Sequence, residues 1–405
     1  MSLIVQKFGG SSVSNSDRIN KVAKIITDIY AMGNDIVVVV SAQGQTTDNL
    51  IETAKKTNKH PSKREMDVLL STGEQMTIAL LAMAVENLGY PVISLTGWQA
   101  GFKTSANHEN AKIQELIPKR ILEEMKKKKI VIVAGFQGID EFDDITTLGR
   151  GGSDASAVKI ASVLKANVCK IYTDVDGVYT ADPRIVKNAK KLEKINFSEM
   201  IYMSFLGAQV INVRAAQIAK EHNAPFEVLS SFSDNKGTIV EGFEHKKTNY
   251  SGISLDNNSI KITLKNLSTR LILKSNLIES LLERDIRPDM IRQKDITKVF
   301  CNITLVVDKN FLDVAMEVIK KITAQSDTSE FLIDNTFGKI SLVGTGLDKD
   351  RFIFDRVLKV FEKQKIKICS FEINMHRISL LLKKEFLNLG AIELHKEFFE
   401  KQENI

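Results

Sequence analysis

The chain has 405 residues, with 56 Lys and Arg against 50 Asp and Glu, a formal net charge of +6. Hydrophobic residues at 43% and charged residues at 26% are globular proportions; they exclude a disordered chain and predict several domains with room for a buried core. No uninterrupted apolar run approaches the roughly 18–20 residues a membrane span needs, so no membrane partner is expected. The opening Met1-Ser2-Leu3-Ile4-Val5-Gln6-Lys7 lacks the basic region and long apolar core of a signal peptide. The widely spaced Cys169, Cys301 and Cys369 cannot build a disulfide framework, which predicts a reducing cytoplasmic location. The excess of lysine is spread along the chain. Its one basic run, Lys126 to Lys129, is poor in aromatics and reads as a solvated helix end, so no nucleic-acid partner is expected.

The first half alternates strand-like runs with segments of helical period, the pattern of an α/β domain with a mostly parallel sheet. Strands are predicted at Leu3 to Phe8, Asp35 to Ser41, Pro91 to Leu95, Ile130 to Ala134, Val168 to Thr173 and Pro225 to Leu229. Helices are predicted near Ser16 to Tyr30, Lys63 to Asn87, Asn110 to Met125, Ser153 to Leu164 and Leu206 to Glu221. The β-branched run Ile36-Val37-Val38-Val39-Val40 suits a strand covered on both faces. Ser231 to Tyr250 is polar and reads as a linker around one short strand. Beyond it, strands at Ser259 to Lys265, Ile286 to Arg292, Val299 to Val307 and Glu330 to Asp334 enclose helices at Leu271 to Arg284 and Phe311 to Ile322. The order then begins again: strand Lys339 to Gly344, helix Arg351 to Lys363, strands Ile366 to Glu372 and Arg377 to Leu382, and a helix to Phe399. This is a tandem of two ferredoxin-like βαββαβ units.

Three segments carry candidate chemistry. In Lys7-Phe8-Gly9-Gly10-Ser11-Ser12 the paired glycines let backbone N–H groups approach an anion, and Lys7 would set a point charge on a phosphate; a bare turn is the alternative. No Walker A pattern occurs. Thr146 through Asp154 places hydroxyls, glycines and Arg150 at a helix start, a dense set of anion donors, although Ser153 or Asp154 could simply cap the helix. Arg150, set among glycines that cannot shield it, favours a phosphate or carboxylate site. In Tyr172 through Arg184, Asp174 and Asp176 could hold a metal or a ribose, or only shape turns. Glu74, in Gly73-Glu74-Gln75 on a helix, reads by itself as exposed and inert. The six histidines show no zinc spacing, no Gly-x-Ser-x-Gly elbow occurs, and Cys169 reads as a small core residue.

Taken together and in order, these segments resemble the aspartokinases of the amino acid kinase family. Lys7 to Val13 is similar to the family's opening signature, Ser41 to Leu50 to its second loop, and Ser71 to Gln75 to its third. Ala134 to Gly138, Thr146 to Asp154 and Tyr172 to Arg184 complete the match. The resemblance implies a three-layer, doubly wound kinase domain over 1–240, followed by ACT-like regulatory units over 250–335 and 336–405. It implies transfer of the γ-phosphoryl of ATP, with Mg2+, to the side-chain carboxylate of L-aspartate, the entry to lysine, threonine, methionine and diaminopimelate synthesis. A carboxylate is already ionised at neutral pH, so the chemistry needs alignment and charge stabilisation rather than a general base. By the resemblance, Lys7 stabilises the moving phosphoryl, Gly9 and Gly10 offer backbone donors, Asp154 orients Lys7 and Ser153 caps the helix. Arg150 would hold the α-carboxylate of aspartate and Glu74 its ammonium, with Ser41 and Thr47 contributing hydroxyls. The nucleotide would lie along Thr173, Asp174, Tyr179, Asp182, Arg184 and Gln209, and Mg2+ would be held by phosphates and water, with no all-protein metal cage.

The chain departs from the family at several points. Gly207-Ala208-Gln209-Val210-Ile211-Asn212-Val213-Arg214 carries Gln209 where the family has a lysine facing the nucleotide. Glu141-Phe142-Asp143-Asp144 lacks the usual glycine. Leu267 to Leu271 lacks the loop that binds amino-acid effectors in the family, Gly344 to Asp350 lacks the usual turn of the second unit and Asn374 to Arg377 is atypical, although Arg270 and Lys349 could still supply charge. The expectation is a homodimer built from about Leu255 onward, with one effector site weak and lysine favoured over threonine as inhibitor. Two other readings stand beside it: a kinase for another carboxylate, and an amino-acid sensor of the same fold with weakened catalysis.

Overall fold

The computed structural model describes residues 2–208, 210–233, 235–245, 248–268, 276–284, 286–324 and 330–401. They form two compact units, one of Met1–Val178, Lys191–Ser204 and Gln209–Glu244, the other of Tyr179–Lys190, Phe205–Ala208 and His245–Ile405.

The first unit is built on strands β1 (Leu3–Phe8), β2 (Asp35–Val40), β3 (Val92–Leu95), β6 (Ile130–Ala134), β9 (Val168–Thr173), β10 (Lys194–Asn196), β11 (Phe226–Ser230) and β12 (Thr238–Glu241). These make one eight-stranded sheet in the order β10-β12-β11-β9-β1-β2-β6-β3. Only the β11–β12 pairing is antiparallel. The alternation of side chains explains why β2 and β6 are apolar throughout. Ile36, Val38, Val40, Ile130 and Ile132 pack under helices α1 (Ser16–Ala31) and α3 (Lys63–Asn87), while Val37, Val39, Val131 and Val133 are buried on the opposite side. Helices α4 (Lys119–Lys126), α5 (Gly152–Val163) and α7 (Val213–His222) complete the unit, α5 lying against β1, β2 and β9. The helix α3 is long and apolar enough to cross a membrane by length and composition alone. Here it is a core helix: Met66, Leu70, Ile78, Leu81 and Val85 are buried.

Three expectations change. Asn110 to Met125 is not one helix: strand β5 (Ile113–Leu116) comes first and α4 starts after Pro118, whose ring cannot donate to a preceding turn. Leu206 to Glu221 is likewise broken, with α6 (Phe197–Phe205) before it and α7 starting behind the Asn212 cap. Helix α2 (Thr46–Thr57) was not anticipated, because none of its residues is buried and no apolar stripe marks it.

The second unit contains two four-stranded antiparallel sheets. Strands β14 (Ser259–Ser268), β15 (Asp289–Asp295), β16 (Phe300–Asp308) and β17 (Glu330–Asp334) are ordered β15-β16-β14-β17. Helices α8 (Leu277–Leu282) and α9 (Leu312–Thr323) cover this sheet through Leu277, Leu281, Ala315 and Ile319. The other sheet joins β18 (Phe337–Thr345), β19 (Ser370–Asn374) and β20 (Arg377–Lys383) in the order β13-β18-β20-β19. Its fourth strand, β13 (Asn249–Asp256), precedes the whole first sheet in sequence, and helices α10 (Ile353–Lys363) and α11 (Leu387–His395) cover it. The serial division into 250–335 and 336–405 is therefore replaced by nesting: one βαββαβ unit is inserted after the edge strand of the other. Reading 231–250 as linker missed the start of that strand.

The two sheets are joined by a buried charge cluster. Asp289 on β15 accepts from Lys339 Nζ at 2.6 Å and from Arg377 Nη2 at 2.8 Å, on β18 and β20. Burial by itself would raise the Asp289 carboxyl, but the two cations outweigh it and hold the group well below the usual carboxylate range. Its stabilising contribution is thus complete above the ordinary aspartate pKa and is lost only as pH falls toward the depressed value. Asp289→Ala leaves Arg377 only Glu372, at 2.6 Å, and Lys339 only Asp256, at 3.8 Å, and should cost about 3 kcal/mol. A thermal midpoint equal to that of the unsubstituted protein would show that the cluster is not a joint.

Candidate active site

The carboxyl ends of β1, β2, β6 and β9 lie on one edge of the parallel sheet, where the strand order reverses on either side of β1, the location at which open α/β sheets bind ligands. Hydrogen bonds join the loops leaving these strands. Gly9 N–H donates to Tyr172 O at 3.2 Å, Ser41 N–H to Phe8 O at 3.1 Å and Gly135 N–H to Val40 O at 3.0 Å. Two glycines are fixed by crowding. A Cβ on Gly10 would meet Ala42 O at 2.7 Å, and one on Gly135 would meet the Ser153 Cβ at 2.7 Å. The first closeness lets the β1 and β2 exit loops cross; the second brings the start of α5 onto the end of β6.

Lys7 is near the end of β1, paired in register with Val39 and Ile171 on the two central neighbours. Its ammonium lies 2.6 Å from Asp154 Oδ1 on the first turn of α5, with both side chains 10% exposed. A Cβ on Gly9 would lie 3.4 Å from Lys7 Nζ, so the glycine leaves open the approach to that charge. Ser153 is buried at the same helix start. The backbone N–H of Asn212, the residue that caps α7, points to Asp154 Oδ2 at 3.4 Å, and its side chain donates to Arg150 O at 2.6 Å. Arg150 itself is exposed, and its guanidinium makes no ion pair among the described residues.

Glu74 is neither exposed nor inert. It is 3% exposed on α3, and its Oε1 accepts the Ala42 N–H at 3.0 Å. Its Oε2 is buried without a hydrogen-bond partner among the described residues. Burial pushes the carboxyl up to about 8, partly offset by the Ala42 amide. Ser41 and Thr47 are half-buried nearby in sequence, on the β2 exit loop and the first turn of α2.

Thr173 ends β9 and Asp174 follows it, the Thr173 hydroxyl donating to Asp174 Oδ1 at 3.1 Å. Tyr179, Asp182 and Arg184 fall in Tyr179–Lys190, which packs with the second unit. There Arg184 Nη2 donates to Asp182 Oδ2 at 2.8 Å, so the two charges serve each other. Gln209 and Arg270 lie outside the described residues.

Sequence reasoning missed three residues. Asp67, fully buried on α3, accepts from His108 Nδ1 at 2.8 Å, from Glu109 N–H at 3.0 Å and from the Thr147 hydroxyl, tying the 105–111 loop to the strand before Arg150. Arg214 donates to Ala111 O at 3.3 Å and to Leu148 O at 2.7 Å, and so holds the same loop from α7. Asn212 carried a signal, an Asx residue just before a helix; a buried aspartate inside a helix carried none. The structure also gathers His108, Asp140 and Asp144, which could hold a metal by spacing. Asp140 Oδ1 accepts the Phe142 and Asp144 N–H groups, Asp144 pairs with Arg64 and His108 with Asp67, so this is the internal network of a hairpin.

A strand-end glycine loop, a buried lysine and a helix N-terminus lie together at the carboxyl edge of a doubly wound parallel sheet, an arrangement chemically suited to phosphate groups. Residues 2–230 match the model of the amino acid kinase family. The aspartokinase of Corynebacterium glutamicum is 40% identical over 405 residues, covering 98% of this chain and 96% of the relative. Aspartokinase III of Escherichia coli, solved with aspartate and ADP, superposes with a TM-score of 0.82 at 23% identity, over 98% of this chain and 100% of that one. The same enzyme solved with lysine and aspartate gives 0.75 at 23% identity, over 98% and 99%. The chain belongs to the amino acid kinase family and, within it, to the aspartokinases, enzymes that phosphorylate aspartate.

The Glu74 carboxyl makes a prediction about pH. Because its folded pKa is raised, the folded state holds the proton that the unfolded chain gives up, so its favourable contribution is complete below about 4.5 and fades as pH rises toward about 8. The thermal midpoint of Glu74→Gln, relative to the unsubstituted protein, should therefore rise from pH 5 to pH 9. A difference that stays constant across that range would contradict the burial argument.

Proposed function

We propose that the crevice at the end of β1 aligns the γ-phosphoryl of ATP with the β-carboxylate of L-aspartate. A carboxylate oxygen forms the new bond to phosphorus as the bond to the β–γ bridging oxygen breaks, giving 4-phospho-L-aspartate and ADP. Lys7 lies along the transferring group and balances its charge, held in place by Asp154. The Gly9 and Gly10 loop and the first turn of α5, with Ser153, offer N–H donors to phosphate oxygens. Arg150 takes the α-carboxylate as a two-toothed clamp, Ser41 and Thr47 supply hydroxyls, and Thr173, Asp174, Tyr179, Asp182, Arg184 and Gln209 border the nucleotide. The observation that carries the substrate assignment is Glu74, a buried carboxylate whose Oε2 has no partner and suits the ammonium of a zwitterionic amino acid.

Mg2+ fits this set as a phosphate- and water-held ion. The Asp154 carboxylate is already committed to Lys7, which leaves Asp174, exposed at the strand end, as a carboxylate able to hold metal-bound water. Bound there, the ion would neutralise charge on the β- and γ-phosphates.

Trapping acyl phosphate as a hydroxamate with MgATP tests the reading: turnover with aspartate and none with glutamate is expected. Lys7→Ala should lower kcat by about 10²–10³, about 3–4 kcal/mol, and Arg150→Ala should raise the KM for aspartate far more than that for ATP. Near-normal kcat in Lys7→Ala would remove its role.

For the second unit we propose a homodimer through residues from about Leu255 onward, with lysine as inhibitor. Supporting this, the edge strand β17 leaves Phe331, Leu332 and Ile333 between 37% and 50% exposed, a row that pairing would cover. Sedimentation at micromolar concentration should give a dimer, and lysine should inhibit more strongly than threonine. An active monomer, or strong inhibition by threonine alone, would overturn this.

A further inference from the structure

The segment Tyr179–Lys190 lies inside the stretch that matches the kinase family, residues 2–230, yet it packs with the second unit. Its Ala181 and Val186 share a buried cluster with Phe361, Leu394 and Phe398. Thr180 is the fixed point of the segment. Its N–H donates to Lys190 O at 2.9 Å and its carbonyl accepts the Ile253 N–H at 2.7 Å. Its hydroxyl oxygen accepts the Lys190 N–H at 2.9 Å, and the hydroxyl proton points to His395 Nε2 at 2.9 Å.

His395 is fully buried at the end of α11, and its Nδ1 lies 2.9 Å from Glu400 Oε1. The Glu400 Oε2 accepts from Asn188 Nδ2 at 3.3 Å, a second tie to the same segment. The His395 hydrogen bond, ahead of other causes, holds the Glu400 carboxyl below its ordinary range. An ionised Glu400 assigns the ring proton to Nδ1 and leaves Nε2 to accept from Thr180. The backbone makes this geometry possible. Residues Lys396–Glu400 form a π turn, whose wider i→i+5 spacing puts Glu400 on the same face as His395, where a regular α-helix would turn it away. A polar chain of this kind inside an apolar cluster is costly unless every member is satisfied, and here each is.

We propose that Thr180, His395 and Glu400 form a positioning relay through which the C-terminal helix sets the conformation of Tyr179–Lys190 and thereby the affinity for ATP. The proposal rests on reading Tyr179, Asp182 and Arg184 as nucleotide contacts. Neither His395 nor Glu400 touches substrate; both act through the segment.

The test uses the full chain. Thr180→Val keeps the shape and removes the hydroxyl, and Glu400→Gln removes the charge that fixes the imidazole proton. Each should raise the KM for ATP about tenfold, the scale of one lost hydrogen bond, with KM for aspartate and kcat within about twofold. ADP affinity by calorimetry should fall in parallel, and Thr180→Ser should restore both. If the two variants instead lose active protein, with lower apparent kcat and both KM values unchanged, the relay is only structural and the proposal fails. Should Thr180→Val not fold, Glu400→Gln decides alone, its side chain being 30% exposed. Asp182→Ala separates the two layers of the argument. If it raises the KM for ATP while the relay variants do not, the relay fails and the nucleotide reading stands; if it changes nothing, the nucleotide reading fails and the relay with it.

Discussion

A lysine on the central strand of a buried sheet can be kept only if an acid meets it, and that requirement organises the first unit. Lys7 is buried between its partners Val39 and Ile171, so its ammonium has to find Asp154, 2.6 Å away on the first turn of α5. The pairing fixes the register of helix on strand. It also brings the helix N-terminus to the edge where the glycine loop leaves β1, and it forces the close packing that only Gly135 permits opposite Ser153. The ion pair, the N-terminal N–H groups and the open approach past Gly9 are thus consequences of one placement. A crevice suited to phosphates follows from how a charge was buried.

The second unit uses the same physics for a different end. Asp289 is enclosed by Lys339 and Arg377, and the ring of Phe205 lies 5.6 Å and 5.7 Å from the two cations. The three charges sit on three strands, β15, β18 and β20, of two sheets, so they tie the inserted βαββαβ unit to the one that encloses it. The nesting has a mechanical meaning. With β13 and β18 paired along most of their length, the ladder holds together the two chain ends between which the other unit is inserted.

Much of this was legible along the chain. The spans Leu3–Phe8, Ile130–Ala134, Val168–Thr173 and Lys63–Asn87 are as their periodicity predicts, because burial on one or two faces writes itself directly into apolar spacing. The ordered loops carried the family and its chemistry. What failed failed for local reasons: Pro118 divides a segment of helical period, and β13 was hidden in a polar run whose partner lies on the far side of an inserted domain.

By itself, then, the sequence determined most element types, the parallel kinase domain, the paired ferredoxin-like units and the family to which the chain belongs. Only the tertiary structure decided that Glu74 is buried with one oxygen unpaired, that Asp67 and Arg214 hold the 105–111 loop, and that Tyr179–Lys190 belongs with the C-terminal unit. The reason is that periodicity and loop motifs are local properties of the chain. Desolvation of a carboxylate, and the meeting of Thr180 with His395 across 215 residues, exist only once distant segments exclude water together.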